Sequence, residues 1–421
     1  MCPSLWLKCG EAMHTEILSD PYCVAALAPE WRQLLERSAV SSIFMTPTWL
    51  QAWWRQFGAP DRRQLRFMTF YLEGRLVGLA PFSLRTVRYG GAVPIRRLEL
   101  LATGEPEASE ICSEYLGVIA APEHAEGVAV ELVNQIRAGH LGAWDDLFMR
   151  AMSGDDPFVA QLESTLRSEG YRVEVKATGC ARSAPLPGSW GEYLQSLGSR
   201  HRYGVKRALR DFEAWAGEGN WRLVRADTAG QLGAGQTILR RLHGERWRQR
   251  RPGGGVFADP RFAAFHQEVM ERTFRGEDGR LDLLWLTVGG KAIAAIYNLV
   301  HGRRVYFYQS GRSLDVPEGV RPGLVIHALA IRRAIGEGLI EYDFLGGESQ
   351  YKRQLAPASR QLLSLHAVAS GTRPRALAIV QDGGEYLLAR ARSLRARVAT
   401  VAAVPPRRPS SPSRDSRTAS D

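Results

Sequence analysis

The chain has 421 residues, of which 45% are hydrophobic and 24% charged, so it can form a large core and is typical of a globular protein with two or three domains. No run approaches about 18 apolar residues, so no transmembrane helix is expected, and the opening MCPSLWLKCG lacks the apolar core of a signal peptide. Five scattered cysteines without a CxxC pair favour a reducing cytoplasm over disulfides or a zinc site. The net charge is +11, and residues 371–421, with ten Arg against four Asp or Glu, contribute +6 of it.

The first 40 residues show no clear periodicity and are taken as an N-terminal extension. The first predicted element is a helix over residues 47–58, with Thr46 as N-cap, Pro47 in the first turn and Gly58 at the exit. Its large apolar residues fall at helical spacing, which indicates core packing: Trp49, Leu50, Trp53, Trp54 and Phe57.

A β-hairpin follows, because the apolar runs RFMTFYL and RLVGLAPFSL are separated only by Glu73 and Gly74. Farther along, the patterns predict strands over 97–101, 114–119, 144–149 and 171–175, and helices over 123–138 and 158–168. Small residues and two prolines in 177–188 indicate a linker.

The second half begins at Ser189, whose spacing to Glu192 fits a capping box. Helices are predicted over 200–215, 228–249, 260–274 and 322–336, and strands over 221–225 and 340–345. LDLLWLTV and KAIAAIYNLV, joined by two glycines, predict a second hairpin, with RRVYFYQS as its third strand and a last apolar run at 361–369. The Pro, Ser and Arg beyond about residue 400 indicate disorder.

The two halves resemble each other. FMTFYLEGRLVGLAPFSL and LLWLTVGGKAIAAIYNLV align without gaps and place Gly74 on Gly290 and Arg75 on Lys291, 216 residues apart. Each hairpin is followed by strand, helix and strand. This supports a duplicated domain, with generic hairpin similarity as the alternative.

Three segments resemble a known family: SRHRYGVKRALRDFE, RPGLVIHALAIRRAIGEGLIEYDFLGG and SQYKRQL. They are similar to the GNAT-type acetyltransferase domain of the cellulose-biosynthesis-associated CelD/BcsL-like family, and FMTPTWLQAWWRQFG is similar to its N-terminal lobe. The resemblance implies an α+β fold of tandem GNAT-like lobes, each a mixed α/β sheet flanked by helices. We place a degenerate lobe at 41–180, an acyltransferase lobe at 189–370 and a basic helix and disordered tail at 371–421.

The resemblance also implies transfer of an acyl group from acetyl-CoA or another acyl-CoA to an amine or hydroxyl, in exopolysaccharide, cellulose or envelope biosynthesis. A GNAT domain binds the pyrophosphate of CoA at a helix N-terminus. The matching residues here are Gly319, Val320, Arg321, Gly323 and Leu324. The loop departs from the usual pattern, because Arg321-Pro322 replaces one glycine, and a plain turn is the alternative. In the first lobe, the acids in PEHAEG (122–127) would repel a pyrophosphate, so we expect no CoA site there.

Catalytic candidates come from the need for a base, an acid and charge stabilisation. Asp343, at the carboxyl end of a strand before two glycines, is the first candidate base and Glu348 the second. Tyr308 could supply an acid, and Lys352 of the family's YK motif could bind a phosphate or stabilise the intermediate. Core packing, loop capping and surface exposure remain the alternatives. The predicted substrate-binding residues are Arg202, Lys206, Tyr306 and Tyr351.

No metal motif, Walker loop, GxSxG elbow or EF-hand occurs, so no metal is expected.

Two other functions stay open. A Fem-like aminoacyltransferase, which also resembles paired GNAT lobes, would take its donor from aminoacyl-tRNA, and basic helices suit that partner. A non-catalytic fold that binds a polymer or a synthase is the other. The basic tail could contact an anionic membrane surface weakly, or be a solvated, disordered segment.

Overall fold

One continuous sheet runs through both halves of the chain in the computed structural model, which describes residues 13–89, 93–248, 255–347 and 349–369. The elements of the first half are β1 His14–Leu18, α1 Pro21–Ala26, α2 Ala28–Arg37, α3 Pro47–Trp53, β2 Gln64–Leu72, β3 Arg75–Tyr89, β4 Val93–Leu100, β5 Ile119–Ala120, α4 Ala125–Arg137, β6 Asp146–Ser153, α5 Pro157–Ser168 and β7 Arg172–Pro185. Those of the second half are α6 Trp190–Ser196, α7 Ser199–Ala216, β8 Trp221–Arg225, α8 Ala229–Arg248, α9 Pro260–Phe274, β9 Arg280–Val288, β10 Lys291–His301, β11 Arg304–Arg312, α10 Pro322–Gly336, β12 Glu341–Gly346, α11 Gln350–Leu355 and β13 Ala358–Val368.

The strand order is β1-β2-β3-β4-β6-β13-β7-β12-β11-β10-β9-β8, with β5 paired to β3. Each half has an antiparallel hairpin (β2–β3 and β9–β10), a third antiparallel strand, a helix, and a strand parallel to the third (β6 beside β4, β12 beside β11). The order therefore repeats, and the predicted fold class of tandem lobes built on mixed sheets flanked by helices is confirmed.

The last strand of each half crosses to the other half. β7 pairs with β12 and β13, while β13 pairs with β6 of the first half. The predicted linker over 177–188 is therefore wrong for most of its length, because β7 continues to Pro185 with partner strands on both sides. Ala181 and Ala184 are buried there, so small residues indicate close packing and not a flexible connection.

Several local predictions are confirmed. Thr46 caps α3 by accepting a hydrogen bond from the Trp49 amide, and Ser189 caps α6 by accepting one from the Glu192 amide. The apolar residues of the α3 segment are buried as predicted, although the segment ends in a π-helical turn over Trp54–Gly58. The predicted strand over 114–119 is wrong except at its end, because only Ile119–Ala120 pairs. The N-terminal extension is folded from residue 14, since β1 extends the sheet beside β2.

The two halves share a core. The larger of two buried clusters includes Trp49 and Phe67 of the first half and Phe265, Tyr297 and Tyr306 of the second. The smaller cluster lies in the second half apart from Ala184 of β7 and Leu186 directly after it, and there α6, α7, α10 and α11 cover the other face of the sheet. None of the helices in the described ranges combines the length and apolar character needed to cross a membrane.

Candidate functional site

The site lies where two parallel strands part. In the described part of the chain, β11 and β12 pair at three positions, and the last pair is Tyr306 with Asp343. Beyond this pair the strands separate, because β11 continues to Arg312 and β12 to Gly346 without pairing to each other. Side chains alternate along a strand, so Tyr306 and Asp343 share one face of this opening. Phe307 and Phe344 take the other face and pack on His327 of α10.

A polar pocket of about 170 Å³ opens on the face of Tyr306 and Asp343. Tyr115, Arg304 and Arg360 line it together with these two residues, and residues 39–42 of the first half form one wall. Both halves of the chain therefore build this pocket.

Asp343 is 1% exposed at the base of the pocket. Its carboxylate accepts hydrogen bonds from the Tyr115 hydroxyl at 2.8 Å and from the Leu345 amide at 2.7 Å, and the Arg360 guanidinium lies 3.4 Å away. Burial penalises the charged form and raises the pKa of Asp343 to about 6, although these donors oppose the shift. The carboxyl can therefore exchange a proton near neutral pH, as a general base must.

Glu114 is a second carboxyl close by. Both its oxygens lie 2.8 Å from the Gly346 amide, at the end of β12. Burial, and then the charge of Asp343, raise the pKa of Glu114 to about 7. Two carboxyls with raised pKa values at one strand end are typical of a functional site.

Lys352 is buried beneath the same strand end. Its ammonium donates hydrogen bonds to the Leu345 carbonyl at 3.2 Å and to the Gly346 carbonyl. Its positive charge also favours the ionised form of Glu114. The structure therefore places Lys352 where it holds the end of β12 in position, below the carboxyls.

The segment 109–115 carries first-half residues to this site, and the sequence pattern gave no sign of it. The Ser109 hydroxyl donates to Asp259, and the Ile111 carbonyl accepts from the Tyr308 hydroxyl. Cys112 and Tyr115 have φ values of +51° and +55°, a region that residues other than glycine rarely adopt. Such strain persists only where the surrounding contacts impose it, and it is concentrated at functional sites.

The other predicted catalytic and substrate residues fall in different places. Tyr306 lines the pocket, but Tyr308 is partly buried against the shared core, where its hydroxyl lies 2.9 Å from Nε2 of His266 and burial raises its pKa. Tyr351 stacks on His327 at 5.1 Å between ring centres, on the opposite face of the sheet. Arg202 and Lys206 lie on α7, which packs against α10 and α11. Glu348 lies outside the described residues, as does the tail from residue 370.

The predicted donor loop leads into α10. Gly319 has a φ of +96°, and a Cβ added there would meet no atom within 4 Å. Arg321 is exposed and donates to the Gln354 side chain at 2.9 Å, while its carbonyl accepts from the amides of Leu324 and Val325 at 3.0 Å. Gly323 lies near Arg312 at the end of β11. Leu324 is buried and Val320 half-buried, so these two can offer a ligand little beyond their backbone.

Comparisons with known proteins concern the second half of the sequence and the fold of the whole chain. Residues 199–353 match the sequence profile of the acetyltransferase (GNAT) domain family. No curated protein sequence matches the chain significantly.

Two of the solved structures compared share the fold over most of this chain. FemX has 10% sequence identity and a TM-score of 0.58, over 85% of this chain and 97% of that one. A conserved protein of unknown function from Bacteroides thetaiotaomicron has 10% identity and a TM-score of 0.53, over 85% of this chain and 100% of that one. A tandem GNAT protein from the clavulanic acid biosynthesis pathway has 11% identity and a TM-score of 0.45, over 86% of this chain and 100% of that one. Residues 199–353 are therefore similar to a GNAT acetyltransferase domain, and the chain shares the fold of FemX.

Proposed function

We propose that the protein transfers an acyl group from acyl-CoA, with acetyl-CoA as the first candidate, to an amine or hydroxyl held in the pocket between the lobes. The observation that carries the proposal is the position of Asp343. A buried carboxyl with a pKa of about 6 lies where β11 and β12 part, inside the matched GNAT domain.

In the proposed reaction, Asp343 accepts the proton of the acceptor as its nitrogen or oxygen attacks the thioester carbonyl. The new bond to the carbonyl carbon forms, the carbon–sulfur bond breaks, and the thiolate leaves with the electron pair. A second group returns a proton to the sulfur. We assign this role of general acid to Glu114, because its pKa of about 7 lets it hold a proton near neutral pH. Arg304 and Arg360 supply positive charge at the pocket wall.

The donor would lie at the start of α10. Backbone amides and the helix dipole favour anions at a helix N-terminus, and the exposed Arg321 adds a bidentate cation. The open space around Gly319 lets a pyrophosphate approach the backbone. The acyl end would then reach the opening between β11 and β12.

The first experiment is calorimetric titration of the full chain with acetyl-CoA, beside Arg321→Glu. The matched control is Arg332→Glu, an exposed residue with the same charge change about 16 Å along the same helix. Binding that Arg321→Glu loses and Arg332→Glu keeps supports the donor site. Equal binding by all three proteins refutes the site, and absence of binding by any of them refutes acyl-CoA as donor.

The acceptor class rests on the sequence resemblance alone. We propose exopolysaccharide or cellulose precursors as first candidates, to be tested by thiol release from acetyl-CoA in the presence of nucleotide sugars that carry a free amine or hydroxyl. A rate that depends on the sugar and is lost in Asp343→Asn supports this class. A sugar-independent rate contradicts it.

A second candidate function is favoured by the outer face of α7. Arg200, Lys206, Arg207 and Arg210 are exposed there around Tyr203, which is 60% exposed. A basic helix of this kind suits a nucleic acid backbone, so the donor would be aminoacyl-tRNA, as in a Fem-like aminoacyltransferase. Copurifying tRNA whose binding falls steeply with salt, and falls again in Lys206→Glu, would favour this function. Failure to bind either donor would leave a non-catalytic binding protein.

A further inference from the structure

A second cavity, of about 370 Å³, lies in the first half of the chain and takes no part in the site described above. It lies between α1, α3 and the start of β2. Its inner walls are apolar and combine aromatic with aliphatic side chains: Trp31, Trp54, Phe67, Val24, Leu50 and Leu65. Protein interiors are close-packed and leave few voids larger than a water molecule, so an apolar space of this size that solvent can reach requires an explanation.

The local backbone builds one wall of the cavity. Trp54 begins the π-helical turn Trp54–Gly58, and its ring folds back over the last residue of that turn. A Cβ added at Gly58 would lie 2.1 Å from Cε3 of Trp54, so only glycine admits the ring in this position. π-Helical turns are rare and occur frequently at functional sites. The turn and the glycine together hold the indole where it faces the cavity.

The mouth of the cavity differs from its floor. Tyr22, 83% exposed, Ala25 and Ala59 border the mouth and are all exposed. The polar groups there are Gln51 and Arg55, and the Arg55 side chain is 49% exposed although it also pairs with Glu268. The cavity is therefore apolar inside with hydrogen-bond donors at its rim, the pattern of a site for an amphipathic ligand.

We propose that this cavity binds the alkyl chain of an amphipathic molecule, with a carboxylate or similar anionic head at Gln51 and Arg55. An apolar protein cavity of about 150 Å³ is enough for benzene. The cavity here is more than twice that size, which suits an extended chain. A free fatty acid and the acyl chain of an anionic lipid share this chemistry. The inference does not depend on the acyltransferase proposal, because the cavity and the α10 loop have no lining residue in common.

The test uses the full chain and dansyl-labelled undecanoic acid, with energy transfer from tryptophan as the signal. Trp31 and Trp54 line the cavity and serve as donors. Unlabelled linear carboxylic acids of increasing length then displace the probe. Each added methylene should tighten binding roughly fourfold until the cavity is full. No probe binding, or displacement that does not depend on chain length, overturns the proposal.

The decisive variant is Ala59→Trp, which places a large side chain at the mouth without disturbing the core. We expect it to weaken probe binding at least about tenfold, a difference of roughly 1.4 kcal/mol. Ala26→Trp is the matched control, since Ala26 is exposed on α1 but does not line the cavity, and it should bind the probe like the parent. Equal binding by Ala59→Trp and the parent overturns the proposal.

Two further experiments identify the molecule that supplies the bound alkyl chain. Flotation with phosphatidylglycerol vesicles that Ala59→Trp abolishes assigns the cavity to a lipid, whereas displacement by free acids without flotation assigns it to a fatty acid. If the probe binds only after deletion of residues 2–12, the cavity belongs to the protein's own N-terminus and the proposal fails. Acetyl-CoA titration of Ala59→Trp should match the parent, which separates this outcome from failure of the donor site.

Discussion

Replacing Asp343 by Asn should stabilise the protein and remove its activity. The carboxyl is buried, and its pKa of about 6 in the folded protein lies above its ordinary value of 3.8. One pH unit corresponds to about 1.4 kcal/mol, so ionising this group in the folded state costs roughly 3 kcal/mol more than in the unfolded chain. Asn has nearly the same shape and stays neutral; its amide oxygen can accept from the Leu345 amide, while its NH2 group can donate to the Tyr115 hydroxyl, which also serves as an acceptor.

The pH dependence gives this prediction its sign. Between about pH 4 and 6, the folded protein holds a proton on Asp343 that the unfolded chain has lost, so the free energy of unfolding falls as pH rises through this window. The Asn variant has no group that titrates at this position, so its free energy of unfolding does not fall for this reason. The two proteins should therefore have similar stability near pH 4, and the variant should be more stable by up to roughly 3 kcal/mol at about pH 7.5. The ionised Asp343 also opposes ionisation of Glu114, so part of the gain extends to about pH 7.

The assay is urea unfolding followed by tryptophan fluorescence at both pH values, beside thiol release from acetyl-CoA. Asp155→Asn is the matched control: Asp155 lines the same pocket and pairs with the same Arg360, but its side chain is 71% exposed. That variant should change stability little at either pH. Lower stability of Asp343→Asn at pH 7.5, or a gain that is the same at both pH values, would refute the reasoning.

Three other substitutions test further contacts in the fold. Tyr115→Phe removes a hydrogen bond that favours ionised Asp343, so the pKa of Asp343 should rise and the acid limb of the profile of kcat/KM against pH should move to higher pH. An unchanged acid limb contradicts the assignment of Asp343 as the base. Lys352→Met keeps the alkyl stem but leaves two strand-end carbonyls without their donor, and urea unfolding should show a loss of about 1–3 kcal/mol per unsatisfied group. Glu99→Gln removes the buried carboxylate that pairs with the Arg63 guanidinium at 2.5 Å, and Glu105 and Asp61 remain as acidic neighbours of Arg63. Unfolding should show a loss of about 3–5 kcal/mol, against little change for Glu163→Gln on the surface.

The elements that the sequence predicted well have their signals within a few residues. Thr46 and Pro47 start α3, Ser189 starts α6, and Pro322 starts α10, because capping and the fixed φ of proline act locally. Both hairpins follow from two-residue turns between apolar runs. The repeat of these elements 216 residues apart supported a duplicated domain, and the family resemblance then implied tandem lobes.

The parts that the sequence did not predict depend on contacts between distant segments. Residues 177–185 have the composition of a linker, and only pairing with β12 and β13 makes them a strand. Tyr115 was placed in a strand because its neighbours are apolar, yet its φ of +55° is imposed by contacts with the second half. Arg360 reaches Asp343 from β13, which follows it in sequence but lies beyond β7 in the sheet. Periodicity within one element cannot indicate such pairings.

The repeated order of elements gives each half a corresponding connection near the site. In each half a connection follows the third strand and leads to the helix: residues 101–124 before α4, and residues 313–321 before α10. The second is short, opens on Arg321 and Gly319, and is the connection we propose for the donor. The first is longer, and its residues 109–115 are bound to Asp259, Tyr308, Asp343 and Gly346 of the other half. A connection held in this way, with acids at the start of its helix, is poorly suited to bind a pyrophosphate as well. In the reaction that we propose, the first half would therefore contribute by shaping and charging the pocket of the second, and the exchanged strands β7 and β13 hold the two halves in one sheet.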